Sequence, residues 1–155
     1  MKVRDVMTKF PAVCTPDMPI ESAARLMVNA DCGAIPVVGE VAELPIGMIT
    51  DRDIVVRAVA LGRGPEILVR EIMSSPAVTV TDDMGLRDCI DLLESRQIRR
   101  AIVVDATGRC VGIIATADIA QHASRRKSGE LLEKVSRPSI TSTTSRSPGA
   151  AARSH

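Results

Sequence analysis

Hydrophobic positions along the first half of the chain follow two patterns, a helical spacing and short continuous runs. Between Pro19 and Gly33, apolar residues recur every three or four positions, which predicts an amphipathic helix. Short apolar runs bounded by turn residues are typical of buried strands. In order, the predicted elements are a strand at Ala12–Thr15, a helix from Ile20 toward Gly33, strands at Ala34–Val38 and Ile46–Ile49, and a helix at Asp51–Leu61.

The second half repeats this order. Its predicted elements are a strand at Ala77–Val80, a helix at Leu86–Ser95, strands at Ala101–Val104 and Val111–Ile114, and a helix that begins near Thr116. A further short helix is predicted over residues 123–136. Residues 137–155 are rich in Ser, Thr, Pro and Gly without periodicity, so we expect a disordered basic tail there.

The amino-acid sequence itself is also repeated. Val3–Thr8 returns as Val69–Ser74 after 66 residues with conservative changes, and Gly47–Ile54 returns as Gly112–Ile119 after 65. Such a repeat predicts a duplicated structure with an internal pseudo-twofold axis. We therefore predict an α+β fold of two β-α-β-β-α repeats packed with pseudo-twofold symmetry, the first over residues 1–62 and the second over residues 63–122.

Composition and charge limit the class of protein. The chain has 155 residues, 45% of them hydrophobic, with no apolar run near the ~18 residues of a membrane helix and no secretory signal pattern, so a cytoplasmic location is expected. Residues 1–122 carry 13 basic and 17 acidic side chains, whereas residues 123–155 carry 7 and 2. Phe10 is the only aromatic residue, which removes the stacking surfaces of single-stranded nucleic-acid binders. Neither a membrane nor a nucleic acid is expected as a partner.

The sequence lacks the usual patterns of catalytic and metal sites. The four cysteines are widely separated, with no Cys-x-x-Cys pair, and are expected to be small buried hydrophobic residues. No Ser-His-Asp arrangement, metal-ligand spacing or phosphate-binding loop motif is visible. We therefore expect no catalytic residues, no metal and no enzyme activity.

The pair Thr50-x-x-Asp53, at the predicted start of a helix, has two interpretations. It is the sequence of a capping box, in which each side chain accepts a hydrogen bond from the backbone of the other residue. The same geometry gathers a hydroxyl, a carboxylate and free N–H groups at the positive end of a helix, which suits a ribose and its phosphate. The residues alone leave both interpretations open, and one residue can serve both.

The repeated units resemble a tandem pair of cystathionine β-synthase (CBS) domains, also called a Bateman module. Each contains Gly-apolar-apolar-x-x-x-Asp-Ile, and they join at Val69–Met73. Thr50–Val55 and Gln97–Arg100 look like the small stand-alone bacterial members, including hypoxic-response proteins. The resemblance covers residues 1 to about 122. It implies two related clefts between the halves that bind adenosine-containing ligands such as AMP, ADP, ATP, NAD or S-adenosylmethionine.

For the first cleft, the resemblance places Met48 near the adenine, Asp53 on the ribose, and Arg99 and Arg100 on phosphate, where paired guanidinium donors fit well. The alternative for the two arginines is a solvated strand edge. The complete set implied for this cleft is Met48, Thr50, Arg52, Asp53, Thr81, Leu86, Ile98, Arg99 and Arg100.

The second cleft is assigned the matching positions but departs from the pattern. Its implied residues are Thr15, Ile20, Cys32, Gly33, Ile113, Ala115, Thr116 and Asp118. Ala115 replaces Thr50 and removes a hydroxyl, while Gly33 replaces Arg99 and removes a charge. A hydrogen bond to a charged group contributes about 1.5 to 3 kcal/mol, so we predict unequal clefts with the Asp53 cleft the stronger.

Two functions remain open at this point. The first is a regulatory module that binds adenine nucleotide as a regulatory ligand, not an obligatory cofactor, and modulates a partner protein. The second is a dimeric interaction or stress-response protein whose clefts are vestigial. Its predicted helices at Ile20–Asn29 and Leu86–Ser95 would then form the dimer face. A homodimer is expected in both cases.

Overall fold

The computed structural model describes residues 1–41 and 43–136, and of residues 131–136 the backbone only. The helices are α1 (Ile20–Ala30), α2 (Asp51–Arg57), α3 (Val69–Ile72), α4 (Leu86–Ser95) and α5 (Thr116–Ser136). The strands are β1 (Thr8–Lys9), β2 (Ala34–Val38), β3 (Pro45–Thr50), β4 (Thr79–Thr81), β5 (Arg100–Val104) and β6 (Cys110–Ala115). Short 3-10 helices cover Val3–Asp5 and Val59–Leu61. Among these described residues, no helix is both long and apolar enough to cross a membrane. The predicted tail, residues 137–155, lies outside the described residues.

Four predicted elements take a different form in the structure. The helix predicted at Asp51–Leu61 ends at Arg57, and a separate 3-10 helix covers Val59–Leu61. Ala12–Thr15 forms one bridge, from Cys14 to Val37, instead of a strand. Helix α1 ends at Ala30, and the next residue, Asp31, adopts a left-handed conformation with φ 51°, so the chain turns two residues before Gly33. Aspartate tolerates this conformation better than most residues. The helix predicted over residues 123–136 is the continuation of α5, since no proline interrupts the chain between residues 116 and 136.

The sheets confirm the predicted α+β fold. One sheet has the order β1-β6-β5-β4, in which β4 pairs parallel with β5 and the other pairs are antiparallel. The other contains the antiparallel pair β2-β3. Single bridges flank this pair, Cys14 with Val37 and Met48 with Ser74, at the places that β4 and β1 occupy in the first sheet. Both halves therefore share one strand arrangement.

The opening turns of the two halves are exchanged. Val3 N donates to Met84 O at 2.9 Å, and its equivalent Val69 N donates to Met18 O at 2.8 Å. Val3 is buried in the hydrophobic cluster of the second half, whereas Val69 is buried in the cluster of the first. Each half therefore completes its core with a residue from the start of the other.

The central strand of each half is buried on both faces. In β5, Ala101 and Val103 belong to the core cluster of the second half. The alternating residues Ile102 and Val104 are also buried but lie outside that cluster. Because strand side chains alternate between faces, these two face away from the core cluster, and β2 and β6 of the two halves contact each other. Burial on both faces explains why these strands are continuous apolar runs.

The exchange also explains one glycine in each repeat. A Cβ added to Gly47 would lie 2.6 Å from the carbonyl oxygen of Ser74. At the equivalent Gly112, an added Cβ would lie 2.9 Å from the carbonyl oxygen of Thr8 and 2.6 Å from the sulfur of Met7. The segment that arrives from the other half therefore passes too close for any side chain at either glycine.

Candidate functional site

Of the cavities within residues 1–121, two are lined by strand residues from both repeats. The first has a volume of about 230 Å³ and is lined by Met48, Thr50, Ser74, Pro76, Ala77, Val78, Ile98, Arg99 and Arg100. The second has a volume of about 440 Å³ and is lined by Thr8, Phe10, Pro11, Ala12, Ala30, Asp31, Cys32, Gly33, Ala34, Arg100, Ile113, Ala115, Ala117 and Asp118. Both cavities contain residues from each repeat.

The two cavities are built from equivalent positions. A shift of 65 or 66 residues converts every lining residue of the first cavity into a lining residue of the second. The pairs are Met48 with Ile113, Thr50 with Ala115, Ser74 with Thr8, Pro76 with Phe10, Ala77 with Pro11, Val78 with Ala12, Ile98 with Cys32, Arg99 with Gly33, and Arg100 with Ala34. The duplication has therefore produced two related cavities with different side chains.

At the first cavity, β3 ends and α2 begins in a complete capping box. Thr50 Oγ1 accepts a hydrogen bond from Asp53 N at 3.1 Å, and Asp53 Oδ2 accepts one from Thr50 N at 2.9 Å. The other carboxylate oxygen, Oδ1, lies 3.9 Å from Nε of Arg57, and the Asp53 side chain is 14% exposed. Thr50 lines the cavity, whereas Asp53, in the first turn of α2, is not among the lining residues. The capping interpretation of this pair is thus present in the structure.

At the second cavity, the equivalent junction has only half of this box. Asp118 Oδ2 accepts a hydrogen bond from Ala115 N at 2.9 Å. Ala115 has no hydroxyl to accept a bond in return. Asp118 lines the second cavity directly, and so does Asp31. The second cavity therefore has two carboxylates on its wall, where the first has none.

Two arginines give the first cavity a positive charge. Arg99 and Arg100 are both exposed and adjacent at the start of β5. Within the part of the chain that the structure describes, no carboxylate oxygen lies within 4.0 Å of either guanidinium. The carbonyl oxygen of Arg99 accepts a hydrogen bond from Thr116 N at 2.9 Å, which fixes its backbone against the start of α5. Both guanidinium groups are available to an anion.

The structure brings together only part of each set assigned from the sequence. The assigned residues that line the first cavity are Met48, Thr50, Ile98, Arg99 and Arg100, and those that do not are Arg52, Asp53, Thr81 and Leu86. The assigned residues that line the second cavity are Cys32, Gly33, Ile113, Ala115 and Asp118, and those that do not are Thr15, Ile20 and Thr116. Ile20 is 4% exposed and packs in the core of the first half.

One wall of each cavity was not predicted from the sequence. These walls come from the segments that follow the exchanged opening turns, residues 74–78 in the first cavity and residues 8–12 in the second. Phe10 belongs to this group and is 85% exposed, with φ 49°. The matching opening segments, Val3–Thr8 and Val69–Ser74, were the available signal, because they immediately precede these walls.

Cysteines and acidic groups are the other side chains that could carry chemistry. All four cysteines are free thiols. Burial raises the pKa of Cys14 to about 12 and also raises that of Cys89, so both stay protonated near neutral pH. Over residues 1–41 and 43–136, no three His, Cys, Asp or Glu side chains are grouped so that they could hold a metal ion.

The sequence model of the CBS domain family matches residues 3–59 and again residues 69–125. The chain belongs to the CBS domain family. The two matches correspond to the two halves, so the predicted tandem CBS pair is confirmed.

The relatives of this CBS pair include small bacterial proteins. The CBS domain-containing protein YhcV of Bacillus subtilis is 40% identical over 139 residues, which cover 89% of this chain and 97% of YhcV. Hypoxic response protein 1 of Mycobacterium tuberculosis is 29% identical over 136 residues, which cover 87% of this chain and 94% of that protein. The predicted similarity to stand-alone hypoxic-response CBS proteins is therefore confirmed.

Solved structures of other CBS pairs contain adenosine compounds. The CBS pair of protein MJ0100, in complex with 5′-methylthioadenosine and S-adenosyl-L-methionine, matches with a TM-score of 0.72 and 25% identity, covering 81% of this chain and 98% of that one. CBSX2 in complex with AMP matches with a TM-score of 0.67 and 25% identity, over the same shares of each chain. These neighbours support a ligand-sensing regulatory module of the CBS type.

Proposed function

We propose that this CBS pair is a regulatory module that binds an adenine nucleotide of the AMP, ADP, ATP or NAD class in its first cavity and thereby changes how a partner protein recognises it. One observation carries the proposal. The first cavity joins the end of β3 in one half to two arginines in the other half, and no carboxylate of the described residues pairs with either arginine. The adenosine compounds bound by the neighbouring CBS structures support the ligand class.

The wall of the first cavity suits the parts of a nucleotide. Met48, Val78 and Ile98 provide apolar surface for a flat base, as small-molecule sites commonly do. Arg99 and Arg100 provide charged, planar donors that bind phosphate oxygens in pairs. We assign the base to the apolar side and the phosphate to the arginine side.

We assign Asp53 to the ribose, because it lies three residues after Thr50, which lines the first cavity, although Asp53 itself does not line it. Its Oδ2 accepts the capping bond from Thr50 N, whereas Oδ1 has, among the described residues, only Arg57 at 3.9 Å as a partner. A ribose hydroxyl that donates to Oδ1 would leave the cap intact. Capping and ligand contact are therefore compatible in one carboxylate.

Regulation follows from the position of the cavity between the halves. A ligand that touches β3 and β5 together stabilises one relative arrangement of the two halves. It shifts the population only if it binds that arrangement more tightly than the others. The partner protein would respond to this arrangement and not to the ligand itself.

Calorimetric titration with AMP, ATP, NAD and S-adenosylmethionine tests the proposal, with GMP as a control for the base. Arg99→Gln removes one charged hydrogen-bonding group, so AMP binding should weaken about tenfold or more. Arg96→Gln is the matched control, because Arg96 is exposed at the end of α4 and lines neither cavity. Equal effects of the two substitutions, or no heat with any adenosine compound, would contradict the proposal.

A second candidate function is supported by the distribution of exposed apolar residues. Within the described ranges, every exposed large hydrophobic residue lies in residues 1–61. Several of them lie on α1, on α2 and on the turn after α2, namely Val28, Val55, Val56, Val59 and Leu61. Exposed apolar patches of this kind commonly mark protein interfaces. We assign this face to a homodimer, which both functions require.

The two functions differ in what Asp53 does. Asp53→Asn keeps an acceptor for Thr50 N but removes the negative charge. A regulatory module should lose about tenfold in AMP affinity and remain dimeric by sedimentation. An assembly protein with vestigial cavities should show no specific AMP binding in either form.

A further inference from the structure

Arg100 lines both cavities, and it is the only residue that the two linings share. Its equivalent in the first half, Ala34, lines the second cavity alone. At this position the pseudo-twofold symmetry of the linings is broken, because a long cation replaces a methyl group and reaches both cavities.

Strand β5 directs the side chain of Arg100 toward the boundary between the two halves. Arg100 alternates with Ala101 and therefore shares a face of β5 with Ile102 and Val104, the face turned away from the core of the second half. Its Cα pairs with that of Ala115, which lines the second cavity. No carboxylate within the described residues holds the guanidinium by an ion pair, so it is free to turn toward either cavity.

The two cavities depend on Arg100 to different degrees. The first cavity also contains Arg99, so it keeps one cation without Arg100. In the second cavity, Arg100 is the only basic lining residue, and it shares the lining with the carboxylates of Asp31 and Asp118. Without Arg100, the wall of the second cavity would be negative and would repel an anion.

We infer that Arg100 is one phosphate contact shared by two cavities, so that an anionic adenosine ligand in the first cavity lowers the affinity of the second cavity for another anionic ligand. This inference rests on the proposed function, because it needs both cavities to accept adenosine compounds. It predicts that, at moderate concentration, one anionic nucleotide binds per chain. Adenosine has no phosphate to bind the guanidinium, so adenosine in one cavity does not weaken its binding in the other.

A charge placed in the second cavity tests the sharing directly. Of the two cavities, Cys32 lines the second and not the first. It is half-buried and also lines a separate cavity between α1 and α2. Cys32→Asp places a carboxylate there to attract Arg100, and Cys32→Asn is the matched neutral control. The AMP affinity of the first cavity is followed by the amide resonance of Ala77, with Arg100 present and in the Arg100→Gln background. This double-mutant cycle isolates the coupling between positions 32 and 100.

Cys32→Asp should weaken AMP binding in the first cavity about tenfold relative to Cys32→Asn. In the Arg100→Gln background, this ratio should fall below about threefold, since only direct repulsion remains. Equal affinities of the two Cys32 variants would overturn the inference, and so would a ratio that is unchanged by Arg100→Gln. Either result leaves the proposed function standing, provided that AMP binds the unmodified chain. Absence of AMP binding to the unmodified chain contradicts both.

A titration of the unmodified chain keeps the test valid if the Cys32 variants fold poorly. With AMP, the amide of Ala77 in the first cavity should saturate at a concentration about tenfold lower than that of Ala12 in the second. With adenosine, the two midpoints should lie much closer together. A gap of the same size for both compounds would contradict a shared phosphate contact.

Discussion

Replacing Thr50 with Val should destabilise the protein, although the two side chains have nearly the same shape. Thr50 Oγ1 accepts a hydrogen bond from Asp53 N at 3.1 Å, and the methyl group of valine cannot accept it. Loss of such a helix N-cap costs about 1 kcal/mol, within a range of about 0.5 to 2. Because Thr50 is half-buried, the amide of Asp53 cannot recover full hydration, so we expect a loss of about 1 to 2 kcal/mol.

Urea unfolding followed by far-ultraviolet circular dichroism measures this change. The chain has no Trp or Tyr, so the helical signal is a better probe than intrinsic fluorescence. The urea concentration at the midpoint of unfolding should fall. The m-value, the slope of the unfolding free energy against urea concentration, should stay the same, since the amount of buried surface hardly changes. In a thermal melt, the same loss corresponds to a decrease in Tm of a few degrees, about 3 to 8 °C.

Thr50→Ser separates the hydroxyl from the methyl group. Serine keeps the acceptor and loses only the methyl group, so its stability should stay within about 0.5 kcal/mol of the unmodified chain. If Ser proves as destabilising as Val, then packing of the methyl group, and not the capping bond, stabilises this junction. The hydroxyl explanation would then be refuted.

Four further predictions use other parts of the chain. Ala115→Thr should complete the second capping box and raise the free energy of unfolding by about 0.5 to 1 kcal/mol in the same urea assay. Gly47→Ala should cost about 1 to 3 kcal/mol because its Cβ meets a backbone carbonyl at 2.6 Å, whereas Gly129→Ala, with nothing within 4 Å, should stabilise α5; equal melting temperatures would contradict this. Cys14, whose pKa burial raises to about 12 from 9.0, should react with iodoacetamide far more slowly than Cys32 in the folded protein, as peptide mass spectrometry can show. The contribution of Cys14 to stability is full below about pH 9 and should fall as the pH rises toward about 12.

Much of the fold could be predicted from periodicity and from the internal repeat. The predicted helix at Leu86–Ser95 coincides with α4, and the predicted strand at Ala34–Val38 coincides with β2. Both have strong patterns, a helical stripe in one and a run buried on two faces in the other. The exchange of opening turns was not predicted, because a turn as short as Val3–Asp5 could pack equally well on either half. Only the assembled cores decide between these partners.

The residues of the candidate site could also be predicted only in part. Residues at strand ends, such as Met48 and Arg99, could be assigned because the resemblance fixes their register in a regular element. Phe10 and Ala77 could not, since they lie on irregular segments whose path depends on a pairing between distant strands. That Arg100 lines both cavities was also not predicted. This depends on the length of its side chain at the boundary between the halves and not on its place in a motif.

The exchanged opening turns bear on how this protein arose. A polypeptide of half the length would lack one part of its own interior. It could complete its interior only if its N-terminal segment packed into a second copy while the N-terminal segment of that copy packed into it. The present chain is therefore the arrangement expected if two such intertwined subunits were fused tail to head, and neither half should fold when it is expressed without the other.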